Sequence, residues 1–123
     1  MFPVGFAYLD LERSETPHLW IVCFENPEDA DERVVFSVTS DGPHVSDRSC
    51  ELKVGDHEFI QHDSVVLFRK GAIVTVGTLQ GWTNRGNIVI KDPASAALVE
   101  RIRKAALESQ FTPRDVKAVL RGW

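Results

Sequence analysis

The chain has 123 residues, 43% of them hydrophobic, which supplies one domain spanning 1–123 with a core of its own and no need for disulfide or metal staples. Its net charge of −4 is unevenly divided: residues 1–65 carry 4 Lys+Arg against 14 Asp+Glu, and residues 66–123 carry 10 against 4, so a polyanionic partner would choose the second half. Cys23 and Cys50 are too far apart for a C-x-x-C motif, Met1 to Phe6 lacks the basic flank of a secretory signal, and no run reaches membrane-spanning length, so the expectation is a cytoplasmic protein with reduced thiols and no membrane contact.

Phe6 to Leu11 is a candidate first strand, and HLWIVCFE (18–25) is a short apolar, β-branched and aromatic run that reads as a buried strand ending at Asn26-Pro27. RVVFSVTS (33–40) reads as another, closed by Asp41-Gly42-Pro43, after which the acidic 41–49 loop is the expected break in order. Leu52 and Val54 can start a short strand before Gly55-Asp56. SVVLFR (64–69) and AIVTVGTL (72–79) flank Lys70-Gly71, which predicts a hairpin turn, and NIVIK (87–91) follows a loop from Gly81 to Gly86.

The period then changes. Asp92-Pro93 predicts a helix start, with Ala97, Leu98, Ile102, Ala105 and Ala106 at three- and four-residue spacing, and Thr112-Pro113 predicts a second, short helix. On such helices Arg101, Arg103, Lys104, Arg114 and Lys117 would form a solvated face. Strands first and helices last give a mainly β or α+β fold, with a strongly curved antiparallel sheet over about 1–91 and a helical tail over 92–123.

Chemistry concentrates between Cys50 and Ser64, where His57 and His62 lie five positions apart among Asp56, Asp63 and Ser64. Imidazole is the side chain best suited to exchange protons near neutral pH, although a histidine bonded to backbone is an equally ordinary feature. Thr39-Ser40 ends a buried strand, where its hydroxyls can meet a phosphate or carboxylate or can simply bond the following turn. Trp82, beside Asn84 and Arg85 in the expected loop, suits base stacking better than Trp20 in its apolar strand, and Phe59 is a further stacking candidate. Cys50, His57 and His62, even with Cys23 or His18 added, match no zinc spacing. Ser64 with His62 and Asp63 lacks a G-x-S-x-G elbow, and Gly81 to Gly86 is not a phosphate loop. No metal and no cofactor is expected.

Three segments together resemble the MazF/PemK-type toxins of bacterial toxin–antitoxin systems. Thr16-Pro17-His18-Leu19-Trp20-Ile21-Val22 is similar to that family's apolar second strand, Val34 to Ser40 to its strand ending in a Thr-Ser pair, and Ser64 to Phe68 to its later strand opening with Ser. The resemblance implies a small SH3-like β-barrel with a carboxy-terminal helix. It also implies a homodimer, an antitoxin protein as partner, and metal-independent endoribonuclease activity on single-stranded RNA by attack of the ribose 2′-hydroxyl on the adjacent phosphate. Thr39 and Ser40 match the phosphate-side hydroxyls. The family's arginine before the proline of its second strand is replaced here by Pro17-His18. Arg69 or Arg85 would then supply the cation, His18, His57 or His62 the base and acid, and Ser64 and Trp82 further substrate contacts. The alternatives are a non-enzymatic SH3-like module that binds a protein segment, which the acidic first half favours, and a toxin fold that has lost turnover.

Overall fold

In a computed structural model, which describes residues 1–12 and 16–122, the chain forms one six-stranded antiparallel sheet and three helices, an α+β fold. The strands are β1 (Ala7–Asp10), β2 (Leu19–Glu25), β3 (Glu32–Ser40), β4 (Glu51–Leu52), β5 (Ser64–Thr75) and β6 (Ile88–Lys91), and the helices are α1 (Val76–Asn84), α2 (Ala96–Glu108) and α3 (Arg114–Leu120). Their order in the sheet is β4-β5-β3-β2-β1-β6. The expected barrel does not form: the sheet stays open, with β4 and β6 at its two edges, and is not strongly curled.

Continuous apolar strands follow from burial on both faces. Leu19, Ile21 and Cys23 of β2 and Val34, Phe36 and Val38 of β3 pack with Leu98, Ile102 and Ala106 of α2 and Val116 and Leu120 of α3. The alternate residues Trp20, Val22 and Val35 join Tyr8, Ile88 and Leu79 of α1 on the opposite face. Period-2 alternation is invisible in such strands because both sets of side chains are inside.

Lys70-Gly71 is not a hairpin turn. Val35 pairs with Ala72 and Ser37 with Leu67, so Phe68, Arg69, Lys70 and Gly71 all lie opposite Phe36 within one long strand. A Cβ on Gly71 would fall 2.7 Å from Phe36 Cδ1, which explains glycine at the point where the bulge closes over that ring. The bulge also turns Arg69 and Lys70 to solvent.

The expected strand 72–79 ends at Thr75. Its hydroxyl accepts from the Thr78 amide at 3.0 Å and starts α1, so Trp82 lies in a helix and Arg85 at its carboxy-terminal cap, where a loop was expected. Ser95, not Asp92, caps α2 by accepting from Leu98 N at 3.1 Å. Thr112 does not cap α3; its hydroxyl donates to Ala106 O at 2.7 Å and docks the α2–α3 connection. Arg101 is more than a solvated charge, since its guanidinium donates to Asp56 Oδ1 at 3.1 Å and to Glu51 O at 2.9 Å, tying α2 to the β4–β5 segment. Arg103 lies over the Phe24 ring, 5.5 Å from its centroid. No helix among the described residues is long and apolar enough to cross a membrane.

Candidate functional site: a two-histidine cleft

The register of β3 with β5 pairs Thr39 with Val65 and Ser40 with Ser64, so the hydroxyls that end one strand lie beside the serine that opens the next. At this end of the sheet a cleft of about 450 Å³ is bounded by the two strand ends, by residues 16–18 and by the 58–62 segment, with Lys91 of β6 in its wall. His18, Thr39, Ser40, His62 and Ser64 all line it. Five of the side chains singled out from the sequence are therefore gathered in one place.

His62 is exposed, and its Nε2 is 2.6 Å from Ser40 Oγ. Ser64 Oγ donates to the His62 carbonyl at 3.0 Å, which fixes the backbone that carries the imidazole. Asp41 N donates to Asp63 O at 3.0 Å and continues the β3–β5 pairing just past Ser40. The strand ends thus set the position of His62 through backbone bonds and leave its ring to the cleft. A hydroxyl at this distance from a ring nitrogen forms a serine–histidine pair able to pass a proton.

His57 has a different place. It is 6% exposed, its Nδ1 accepts from Phe59 N at 3.0 Å, and its Nε2 is 2.6 Å from the carbonyl oxygen of Asp92. An Nδ1 that accepts leaves the proton on Nε2, where it donates to that carbonyl, so both ring nitrogens of a neutral imidazole are committed to backbone. His57 is a strut between the 57–60 turn and the β6–α2 connection, and it does not line the cleft.

Two further groups, Glu58 and Lys91, complete the wall. The Glu58 carboxyl hydrogen-bonds that of Asp92, and sharing a proton with this neighbour holds Glu58 above the ordinary carboxylate range. Lys91 sits with its Nζ 5.9 Å from the centroid of the partly exposed Phe59 ring. Lys91 could be found only as one of the basic second-half side chains, and Glu58 had no signal at all, because its partner lies across the chain at Asp92.

The remaining candidates separate. Arg69 and Lys70 line a second cleft of about 150 Å³ that shares His18 and Thr39 with the first. Trp82 packs on the α1 face of the sheet, its ring centroid 6.5 Å from that of Tyr8, and lines neither cleft; Arg85, at the end of the same helix, lines neither as well. Neither a family model nor a curated protein matches this chain. The chemistry of the cleft is therefore argued from its own groups. Burial pushes the Cys50 thiol up to about 11 and the Cys23 thiol higher, so neither is a thiolate nucleophile at neutral pH. Among the described residues no group of three or more His, Cys, Asp or Glu is placed to hold a metal ion. What the cleft presents is two imidazoles, four hydroxyls, a carboxyl, a carboxamide, an ammonium and an aromatic ring.

Proposed function

We propose that this chain is a MazF/PemK-like endoribonuclease that cleaves single-stranded RNA by metal-independent transesterification. The observation that carries the reading is the placement of His18 and His62 in one cleft with the Thr39 and Ser40 hydroxyls and Lys91. Intramolecular RNA cleavage needs a base for the 2′-hydroxyl, an acid for the leaving 5′-oxygen, and donors for the charge that builds on the phosphate.

His62 takes the base role, because its Nε2 already holds a hydroxyl, that of Ser40, where the ribose hydroxyl would enter. The 2′-oxygen bonds to phosphorus as its proton passes to His62, the bond from phosphorus to the 5′-oxygen breaks, and His18 gives that oxygen a proton. The products are a 2′,3′-cyclic phosphate and a 5′-hydroxyl. Lys91 and the Thr39 hydroxyl oppose the charge on the phosphoryl oxygens. The reading rests on this strand-end cleft and not on a closed barrel. An antitoxin partner and a homodimer come with the family resemblance alone.

The test is incubation of purified protein with single-stranded RNA in EDTA, with analysis of the ends formed. Fragments ending in 2′,3′-cyclic phosphate, and resistance of a strand 2′-deoxy at the cleaved position, are expected. Intact RNA over diverse sequences would discard the nuclease in favour of a non-enzymatic interaction module.

A further inference from the structure

The larger cleft continues past His18 and Thr39. These two residues also wall the second cleft, whose other sides are the 44–47 loop, the Arg69-Lys70 bulge and Phe111. The bulge is what supplies the cations: four residues opposite Phe36 push Arg69 and Lys70 out of the ladder, both are exposed, and neither is in an ion pair with a described residue.

The facing wall is fixed by its own bonds. Asp47 Oδ2 accepts from Ser109 Oγ at 2.6 Å, and its Oδ1 accepts from the Ser49 amide and hydroxyl at 3.0 and 2.5 Å. Ser109 Oγ in turn accepts from Phe111 N at 3.1 Å, so one chain of bonds joins the loop to the connection that carries the Phe111 ring, which is 45% exposed. Arg48 closes the base of the same loop on Asp41 at 2.7 Å. Among the described residues that line this cleft Asp47 is the one acid, and both of its oxygens are already engaged by donors, so it leaves the charge of Arg69 and Lys70 to a ligand.

We infer that the second cleft is a subsite for the strand beyond the reacting phosphate, with Arg69 and Lys70 holding a backbone phosphate and Phe111 stacking on a base, which makes a polymeric single strand the substrate and a dinucleotide a poor one. The inference rests on the nuclease reading for what occupies the larger cleft. Its physical basis is the sharing of His18 and Thr39: a strand whose phosphate lies at His18 has Arg69 and Lys70 on one side of it and Lys91 and Phe59 on the other. Cations spaced along a groove with exposed rings are the elements by which single strands are held without base pairing.

The experiment is fluorescence-anisotropy binding of uncleavable 2′-deoxy oligonucleotides of two and six nucleotides, at two salt concentrations. For the parent protein the hexanucleotide should bind at least about tenfold tighter than the dinucleotide. In R69A/K70A the hexanucleotide should lose at least tenfold more affinity than the dinucleotide, and its log-log salt slope should shrink by about 1.4, two contacts at about 0.7 each. F111A should weaken the hexanucleotide by roughly 5- to 150-fold with the salt slope kept, as loss of one stacked base would. K104A, on the far more exposed face of α2, is the control for general charge.

Equal affinity for the two lengths, or equal losses from R69A/K70A on both, would overturn the subsite. Tighter binding of a glutamate-rich peptide than of the hexanucleotide would give the cleft to a protein partner and overturn it as well. The length step with no RNA cleaved by the parent would leave the subsite standing and remove the nuclease; cleavage with no length step would do the reverse.

Discussion

His57 and His62 lie on the same short connection between β4 and β5, in similar surroundings of acids and hydroxyls, and the fold uses them in opposite ways. Around His57 the chain makes a tight turn, with Ile60 N on His57 O at 3.0 Å; the ring's Nδ1 accepts from Phe59 N within that turn and its Nε2 ties the turn to the Asp92 carbonyl. Around His62 the Ser64 hydroxyl and the Asp41 amide hold the main chain, and among the described residues the ring's hydrogen-bond partner is a side-chain hydroxyl of the opposing strand. An imidazole whose nitrogens are consumed by backbone holds structure; one whose partner is an exchangeable hydroxyl can move a proton. Composition and spacing cannot separate the two, but the ownership of the ring nitrogens does.

The largest consequence falls on the open side. His62→Ala should lower the rate of RNA cleavage by about two to four orders of magnitude, the ordinary contribution of a positioned acid or base, with the thermal midpoint within a degree or two of the parent. His57→Ala should show the opposite balance. It removes two part-buried hydrogen bonds, to the Phe59 N–H and the Asp92 carbonyl, each worth about 0.5–1.5 kcal/mol, so urea unfolding should detect the loss while the rate per folded molecule falls less than tenfold. Equal rate losses in the two variants would erase the distinction.

Gly71→Ala sharpens the comparison from the structural side, because it strikes the bulge without touching a ring nitrogen. The added Cβ at 2.7 Å from Phe36 Cδ1 should cost about 1–3 kcal/mol in unfolding free energy, as overpacking does. A neutral result would mean that the Phe68–Gly71 bulge is slack and does not fix Arg69 and Lys70.

The smallest effect concerns acid. Burial works against the Asp47 charge, but the bonds from Ser109 and Ser49 outweigh it and hold the carboxyl below its usual range. A group with a depressed folded pKa stabilises above the unfolded value near 3.9, and that contribution is lost as pH falls through the folded one. Ser109→Ala should therefore lessen stability at pH 7 by no more than about 1 kcal/mol, the Asp47 carboxylate being partly solvated, and the difference should shrink as the pH falls below the unfolded value and through the folded one. A gap that persists in acid would trace to packing of the α2–α3 connection and not to Asp47.

Much of the fold is legible where burial is extreme or spacing is regular. HLWIVCFE and RVVFSVTS announce strands because both faces are covered, and Leu98, Ile102, Ala105 and Ala106 announce α2 by their period. The sheet's closure was not legible, since nothing local says whether β4 and β6 meet; they are the two edges. Lys70-Gly71 carries turn chemistry, yet its glycine answers to Phe36 on another strand, and the β-branched Val74, Thr75 and Val76 gave no warning that Thr75 is a cap. The site divides in the same manner. Thr39, Ser40, Ser64, His18 and His62 gather because they sit at strand ends, which the apolar runs mark out. His57 and Trp82 depend on partners remote in sequence, the Asp92 carbonyl and the Tyr8 ring, and a local reading had no access to either.

The division between the two histidines can be observed directly by following the ring resonances of all 4 histidines by NMR while an uncleavable 2′-deoxy hexanucleotide is added. The account predicts that His62 and His18 shift with saturation of the strand, and that His57 keeps its Nε2-protonated tautomer and its position throughout. Movement of His57 with His62 and His18 unmoved would contradict the account and place the reacting strand elsewhere on the protein.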